Sequence, residues 1–543
     1  MVLTLAILAS AGVFLWPTAL EFPMDDTYIH LVYAQNLVDH GKLFFSFPDE
    51  QGVGTSSALW VLLLAGGRIL GLSMHVVAKV LGVASLIAVS IGLYELLRPV
   101  VRAVPALVGA LLVGLSGNML WFTLSGMETT LFVALGVLAL LAYRRERWAW
   151  LGVLLGLLTL ARPEGLALLV AIGGVELWRS RGLRRGLVLT GVICALICGP
   201  WFGYLLWRTG HVVPTSAVGK QLTSTMGIRL VAGQSGPLAV FARIPALVYP
   251  FAWLAYMVEF VLGGMALPPP RVSVGAVGTN TGYAVSMWAV AGWIIVVLPL
   301  LWLAARRIGR VRLWPAWLAN RALRPMLVLA AWVALHNLCY MLFLPVPGTA
   351  SRYGALNHVA LWLALSIGLV GLYRSSRLWP WFAGGLAVIA AANTIYWNGV
   401  YDANLEHMQR VRIAAAHFVR DNLADERCAA MDIGAIRYYS QRPIVDMGGL
   451  VDPNVGRWFL EGASDRYLVQ HGVTCLILPG RTGTNDEGWF DLAAIMGLTT
   501  TPLFRMEEIA VFEIDHDRWL QGYLPTNNYQ ATVAIYRLVP MAR

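Results

Sequence analysis

Two adjacent carboxylates open the stretch Asp25-Asp26-Thr27-Tyr28-Ile29-His30, directly after the apolar run 3–20. Carboxylates paired at a membrane surface can hold a divalent ion that neutralises a phosphate, or one of them can take the proton of an attacking hydroxyl. The same acids also suit a solvated helix N-terminus, where the helix dipole favours them. Neighbouring positions lie about 100° apart around a helix, so Asp25 and Asp26 cannot face the same point. The Asp26 face carries His30 and Tyr33, whereas the Asp25 face carries Ile29, Val32 and Asn36. The more polar face is the expected cavity lining, which makes Asp26 the expected catalytic carboxylate.

Other polar residues stand out against apolar surroundings. Glu128, in Ser125-Gly126-Met127-Glu128-Thr129, opens an apolar run; it reads as a site acid or as a helix N-terminus capped by Ser125. Arg162 and Glu164 interrupt the apolar stretch 148–178, where a charge costs about 2.5–3.5 kcal/mol to insert. Such residues pair with each other or line a polar cavity. Lysine occurs only at Lys42, Lys79 and Lys220, and a compact ammonium such as Lys220 suits a phosphate partner. Arg352-Tyr353 begins a further apolar run, either as an interfacial anchor or as part of a site. His336 and His358 read as structural histidines.

These residues must be positioned by membrane helices. Of the 543 residues, 58% are hydrophobic and 13% charged, with mean hydropathy +0.65, and a water-soluble fold of that composition cannot cover itself. The net charge of +10 does not indicate nucleic acid, because the arginines fall in short clusters between apolar runs. Runs long enough to span a bilayer occur at 3–20, 76–97, 103–120, 127–143, 186–207, 285–304, 325–345, 354–373 and 378–397, and 148–178 reads as a hairpin broken at Pro163. The first run reads as an uncleaved span. About eleven crossings result from these runs by the length criterion. The positive-inside rule puts Arg98/Arg102, Arg144/Arg145/Arg147, Arg179 to Arg185, Arg306 to Arg324 and Arg374/Arg377 in the cytoplasm. This parity holds only if 57–72 and 244–265 stay on the outer side as juxtamembrane or re-entrant helices. Asp25, Asp26, Glu128, Arg162, Glu164, Lys220 and Arg352 then all lie at the outer face.

Residues 1–400 read as this membrane domain and 401–543 as an extracytoplasmic soluble α/β domain, with β-like runs at 428–433, 473–478, 510–514 and 532–538. Cys428 and Cys475 lie on two of those runs, as two buried thiols in the favoured reading or as a disulfide in the alternative. There is no P-loop, no H-E-x-x-H, no Rossmann glycine fingerprint and no G-x-S-x-G, so neither a nucleotide cofactor nor nucleic acid is expected.

Taken in order, the motifs resemble the GT-C superfamily of multi-span glycosyltransferases, which take sugars from polyprenyl phosphates. The resemblance runs from Asp25-Asp26-Thr27-Tyr28-Ile29-His30 and Gly54-Thr55-Ser56-Ser57-Ala58-Leu59-Trp60 through Ser125 to Thr129 and Ala161-Arg162-Pro163-Glu164-Gly165. It continues with Pro214-Thr215 and Lys220, Arg352-Tyr353, and Asp432-Ile433-Gly434-Ala435-Ile436 with Tyr438-Tyr439. Within the superfamily the chain looks most like the bacterial branch with the mycobacterial terminal arabinofuranosyltransferases. Val32 and Ala58 depart from the pattern, many relatives carrying Arg and Pro there. The resemblance implies a GT-C fold of about eleven spans with a C-terminal soluble α/β domain, in a bacterial inner membrane. It implies Asp26 as general base, with Asp25, Glu128 and His30 as supporting acids or ligands of a divalent cation (Mg, Mn or Ca). Lys220, Arg162 and Arg352 would face the lipid phosphate, with Glu164 and Tyr353 beside them. The implied donor is a polyprenyl-phosphate sugar, plausible sugars including arabinofuranose, and the acceptor an extracytoplasmic glycan, lipid or protein. A transporter or flippase of a lipid-linked or anionic substrate is the alternative; against it, the polar residues gather at one face and no repeated halves appear.

Overall fold

The computed structural model describes residues 1–16, 20–48, 50, 52–180, 182, 184–220, 250, 253–254, 291–309, 318, 320–344, 348–373, 376–483, 491–522 and 530–541. The expected outer segment 244–265 therefore lies almost wholly outside the described residues.

Helix α1 (Val2–Leu15) leads to α2 (Asp26–His40) and α3 (Ala58–Ile69). Both of these end or begin on local chemistry: Gly41 closes α2 at φ +65, where its N–H reaches Leu37 O, and the Ser57 hydroxyl caps α3 by accepting from Trp60 N. A chain of apolar helices follows: α4 (Met74–Val101), α5 (Ala103–Gly114), α6 (Gly117–Leu124), α7 (Thr129–Arg144), α8 (Trp148–Ala161), α9 (Leu166–Ser180) and α10 (Arg185–Thr209). Beyond the undescribed stretch come α11 (Leu298–Gly309), α12 (Arg324–Phe343), α13 (Ala355–Tyr373) and α14 (Trp379–His407). Among the described residues α4, α10, α12 and the segment Thr349–Tyr373 are long and apolar enough to cross a bilayer singly, and α1, α7 and α8 are shorter apolar helices. Side chains such as Trp207, Ile395 and Leu196 stand exposed on this bundle, as lipid-facing positions must. The chain is an integral membrane protein.

Two expectations change. The run at 103–120 is two helices, α5 and α6, bent by 53°. Ser125 does not cap α7: its hydroxyl donates back to Phe122 O, and Glu128 is the residue preceding the helix. At the expected boundary near residue 400 the backbone stays helical: α14 runs to His407 and passes through a π-turn, Met408–Ile413, into α15 (Ala414–Asn422). Hydropathy falls near Trp397, but a helix carries its hydrogen bonds past the membrane surface without interruption.

The C-terminal region forms one five-stranded sheet in the order β2-β1-β3-β5-β4, with β1 (Cys428–Ala430), β2 (Val445–Asp446), β3 (Cys475–Pro479), β4 (Phe504–Glu513) and β5 (Thr532–Pro540). The β2-β1-β3 half is parallel and the β3-β5-β4 half antiparallel. Cys428 and Cys475 are register partners on β1 and β3, both buried and both free thiols. The two-residue β2 is too short to signal itself in the sequence.

Helix α2 explains how this domain attaches. Its Tyr28, Ile29, Val32 and Tyr33 are buried in one cluster with Val411, Ala415, Ile433, Ile436 and Ile477. An exposed amphipathic helix would leave one face wet; α2 is covered on both sides because it is the layer between bundle and sheet.

Candidate active site

Asp26 sits at the start of α2 with its carboxylate 25% exposed, so a small molecule can reach it. Its Oδ2 accepts from Lys220 Nζ at 3.3 Å and from the Arg352 guanidinium. Burial alone would raise this carboxyl, but the Lys220 and Arg352 cations hold it well below the usual carboxylate range. Burial likewise lowers Lys220, yet Asp26 and Tyr353 hold its ammonium above the ordinary value.

Both cations are delivered by constrained backbone. Lys220 follows a segment that pairs with the loop between α2 and α3, Thr215 N donating to Val53 O and Val53 N to Thr215 Oγ1, each at 2.9 Å. Gly219 then passes so close to the sheet domain that a Cβ there would lie 2.1 Å from Gly449 O. Arg352 and Tyr353 sit in the 3-10 turn Thr349–Gly354, where Ala350 and Ser351 both adopt left-handed φ values of 58° and 56°. Two such residues in succession are costly, and the outlier marks the turn that aims Arg352 at Asp26.

Tyr353 is the hub. Its hydroxyl accepts from Lys220 Nζ at 2.8 Å, and its ring has Arg162, Arg352 and Lys220 at 4.4, 4.9 and 5.5 Å from the centroid. Tyr340 stacks against it at 5.4 Å. Arg162 stands where the α8–α9 hairpin breaks: it is extended (φ −156°, ψ 133°), as a residue before proline tends to be, and a single turn, Pro163–Gly165, follows. Its Nε donates to Glu164 at 2.5 Å, NH1 to Glu128 at 3.0 Å and NH2 to Tyr340 at 2.8 Å, while Tyr340 also donates to Glu164 at 2.6 Å. The intramembrane pair Arg162–Glu164 is thus real, and the same guanidinium ties it to the site.

His30 places Nδ1 2.9 Å from Thr55 Oγ1 and Nε2 3.7 Å from Glu128 Oε2. Burial lowers its pKa against the opposing pull of Glu128 and Asp26, so a neutral ring is expected. Glu128 Oε2 is buried without a hydrogen-bond partner among the described residues, which leaves an acceptor for an incoming hydroxyl.

Asp25 is elsewhere. Its side chain is buried, and Oδ2 and Oδ1 accept from Gly434 N and Ala435 N, both at 2.8 Å, at the start of α16 (Gly434–Ser440) in the sheet domain. A Cβ on Gly434 would lie 2.2 Å from Asp25 O. Burial and the nearby Asp432 carboxylate raise the Asp25 pKa, opposed by Arg412 and the two amides; Arg412 itself donates to Asp432 at 2.5 Å. The expected metal set of Asp25, His30 and Glu128 therefore does not converge. Among the described residues no three His, Cys, Asp or Glu side chains are gathered as a metal ion would require.

The structure thus brings together Asp26, His30, Glu128, Arg162, Glu164, Lys220, Arg352 and Tyr353, and separates Asp25 from them. Sequence reasoning missed Tyr340 and Thr55. Tyr340 lies within an apolar run where one tyrosine carries no signal, whereas Thr55 stood in a motif without an assigned role.

A family model described as a domain of unknown function (DUF8728) matches residues 399–536. No curated protein matches the chain. Among solved structures, ArnT from Cupriavidus metallidurans bound to undecaprenyl phosphate is 13% identical with TM-score 0.53, covering 98% of this chain and 97% of that one. The Archaeoglobus fulgidus oligosaccharyltransferase in complex with Zn and sulfate is 15% identical with TM-score 0.51, covering 87% of this chain and 68% of that one. At such identities the fold is what is shared: the chain has the GT-C fold. The arabinofuranosyltransferase AftD from Mycobacteria, at 16% identity and TM-score 0.45 over 99% of this chain and 40% of that one, carries no argument about the sugar.

Proposed function

We propose that the protein is a membrane glycosyltransferase that moves a sugar from a polyprenyl phosphate to a hydroxyl acceptor, a glycan, lipid or protein, on the extracytoplasmic face. The observation that carries this reading is the Asp26 carboxylate held by Lys220 and Arg352. In this arrangement the cations shield the base until the donor arrives. The donor phosphate competes for Lys220 and Arg352, Asp26 is released from its partners, and its basicity rises as theirs is redirected. The acceptor oxygen attacks the anomeric carbon, the bond from that carbon to the phosphate oxygen breaks with its electron pair leaving on the phosphate, and the acceptor proton passes to Asp26. A phosphate is a good leaving group, so the cations supply the needed charge stabilisation.

In this reading Asp25 is a clasp between α2 and the sheet domain, Glu128 and His30 line the acceptor side, and Arg162 with Glu164 and Tyr340 holds Tyr353 in place. The ArnT likeness, in a structure bound to undecaprenyl phosphate, supports a lipid-linked donor. Arabinofuranose is the first sugar to test, with residues 401–543 as the outer domain of a bacterial inner-membrane protein.

The test is incubation of the purified protein with synthetic polyprenyl phosphates bearing different sugars, with and without chelator, alongside Asp26→Asn. Transfer or donor hydrolysis by the wild type alone supports the reading. Movement of an intact lipid-linked sugar across liposomes with no cleavage would replace it by a flippase.

A further inference from the structure

At the other end of α7 lies a second polar region with a different charge balance. Helix α7 begins beside Glu128 and its 16 residues rise about 24 Å, ending at Arg144 on the opposite membrane face. There a wide-open, solvent-exposed surface cavity of about 520 Å³ is lined by Arg98, Arg144, Arg145, Arg147 and Arg321, with Pro99 and Ala322. The five guanidiniums come from the end of α4, the α7–α8 turn and the segment before α12, which are far apart in sequence. The positive-inside rule explains arginines scattered over this face; it does not explain five converging on one cavity.

The turn that presents them is fixed by its backbone. Arg145 N, Glu146 N and Arg147 N donate to Leu141 O, Tyr143 O and Ala142 O, and Glu146 takes a left-handed φ of 54°. Arg144 is anchored on Glu95 O at 2.6 Å. Among the described residues the nearby acids are Glu95, 3.2 Å from Arg98, and Glu146, 3.0 Å from Arg321. Two carboxylates against five guanidiniums leave the cavity cationic. Of the adjoining arginines, Arg179 and Arg184 turn to the buried Glu176, which Tyr143 also bonds at 2.6 Å, and Arg324 lies between Glu176 and Glu146, at 3.4 and 3.7 Å. Glu176 thus engages these neighbours, and the five lining arginines, with two carboxylates among them, keep an excess of positive charge.

We propose that this cavity binds a phosphate group on the membrane face opposite the active site, the chemistry shared by an anionic phospholipid headgroup and a free phosphate ion. Planar forked donors on several sides suit phosphate oxygens, and basic pockets between spans on this face are places where headgroups lodge. The test uses the whole chain in detergent micelles. In one arm phosphatidylglycerol and phosphatidylcholine compete for retention, read by native mass spectrometry. In the other, inorganic phosphate is compared with sodium chloride at equal ionic strength, read by thermal unfolding.

Preferential retention of phosphatidylglycerol by about tenfold or more, lost in Arg145→Gln/Arg147→Gln, supports a headgroup site. A stabilisation specific to inorganic phosphate, lost in the same variant, supports a soluble phosphate. Arg98→Gln/Arg321→Gln, whose side chains are 54% and 70% exposed, serves as a second variant should the first not fold. Equal retention of the two lipids with no phosphate-specific shift overturns the proposal, as does a preference that survives in both variants.

Discussion

The two ends of α7 place arginine in opposite roles. At the Glu128 end Arg162, Arg352 and Lys220 are matched by Glu164, Glu128 and Asp26, each cation within bonding distance of a carboxylate. At the Arg144 end five arginines line one cavity, and among the described residues only Glu95 and Glu146 pair with any of them. A matched buried network is rigid and close to neutral, and a new anion can enter only by displacing one already there. A cluster in which cations outnumber acids attracts anions without displacing one. The first arrangement suits a reaction that must wait for its substrate; the second suits a ligand that stays.

The largest effect is expected from removing the anion that the donor is to displace. Asp26→Asn keeps the shape and loses proton acceptance, so turnover falls roughly 10²-fold to 10⁴-fold while donor binding survives. Steady-state kinetics with a defined donor decides it, and full activity in Asp26→Asn with a dead Asp25→Asn would reverse the two assignments. Next in size is the clasp. Asp25→Ala leaves Gly434 N and Ala435 N buried without an acceptor, a loss of about 2–4 kcal/mol. Earlier proteolytic release of the 430s region at unchanged donor affinity is the expected signature; unchanged stability would return Asp25 to the active site. Third, Lys220→Ala weakens donor binding about 10- to 100-fold, measured by titration with a labelled polyprenyl phosphate. Lys220 is no free outer-loop lysine, since Asp26 and Tyr353 both hold it, so its removal also costs stability; unchanged donor affinity would leave it that role alone.

Much of this site was legible because membrane burial makes charge conspicuous. Arg162 and Glu164 announced themselves by interrupting an apolar run, and Lys220 by being the only lysine in the central part of the chain. The 100° offset between neighbouring helix positions was enough to divide Asp25 from Asp26 by face, but not to say what Asp25 does. Its partners are backbone amides 409 and 410 positions away, and a backbone N–H leaves no mark in a sequence except the glycine that lets it approach. The broken span at 103–124 was illegible for a related reason: Leu115 and Ser116, between α5 and α6, are ordinary residues, and the bend depends on packing. The same holds for the helix that carries through residue 400, where hydropathy reports the solvent and not the hydrogen bonds.

The subtlest consequence of the matched network concerns pH. In the free protein Lys220 and Arg352 favour the Asp26 anion, so the pKa is depressed and the carboxylate stays ionised far into acid. Once the donor phosphate shares those cations, they stabilise the Asp26 anion less, and the pKa in the complex rises toward an ordinary carboxylate. Activity requires the ionised form, so it is lost as pH falls through whichever pKa applies. Because kcat/KM reports the free enzyme and kcat the complex, the acid limb of kcat should lie at higher pH than that of kcat/KM, by about one to two pH units. Lys220→Ala should move the kcat/KM limb up toward the kcat limb, since one of the two depressing charges is gone. Coincident limbs in the wild type, unmoved in Lys220→Ala, would mean that the donor does not draw the cations from Asp26, and that the network is a scaffold the reaction leaves intact.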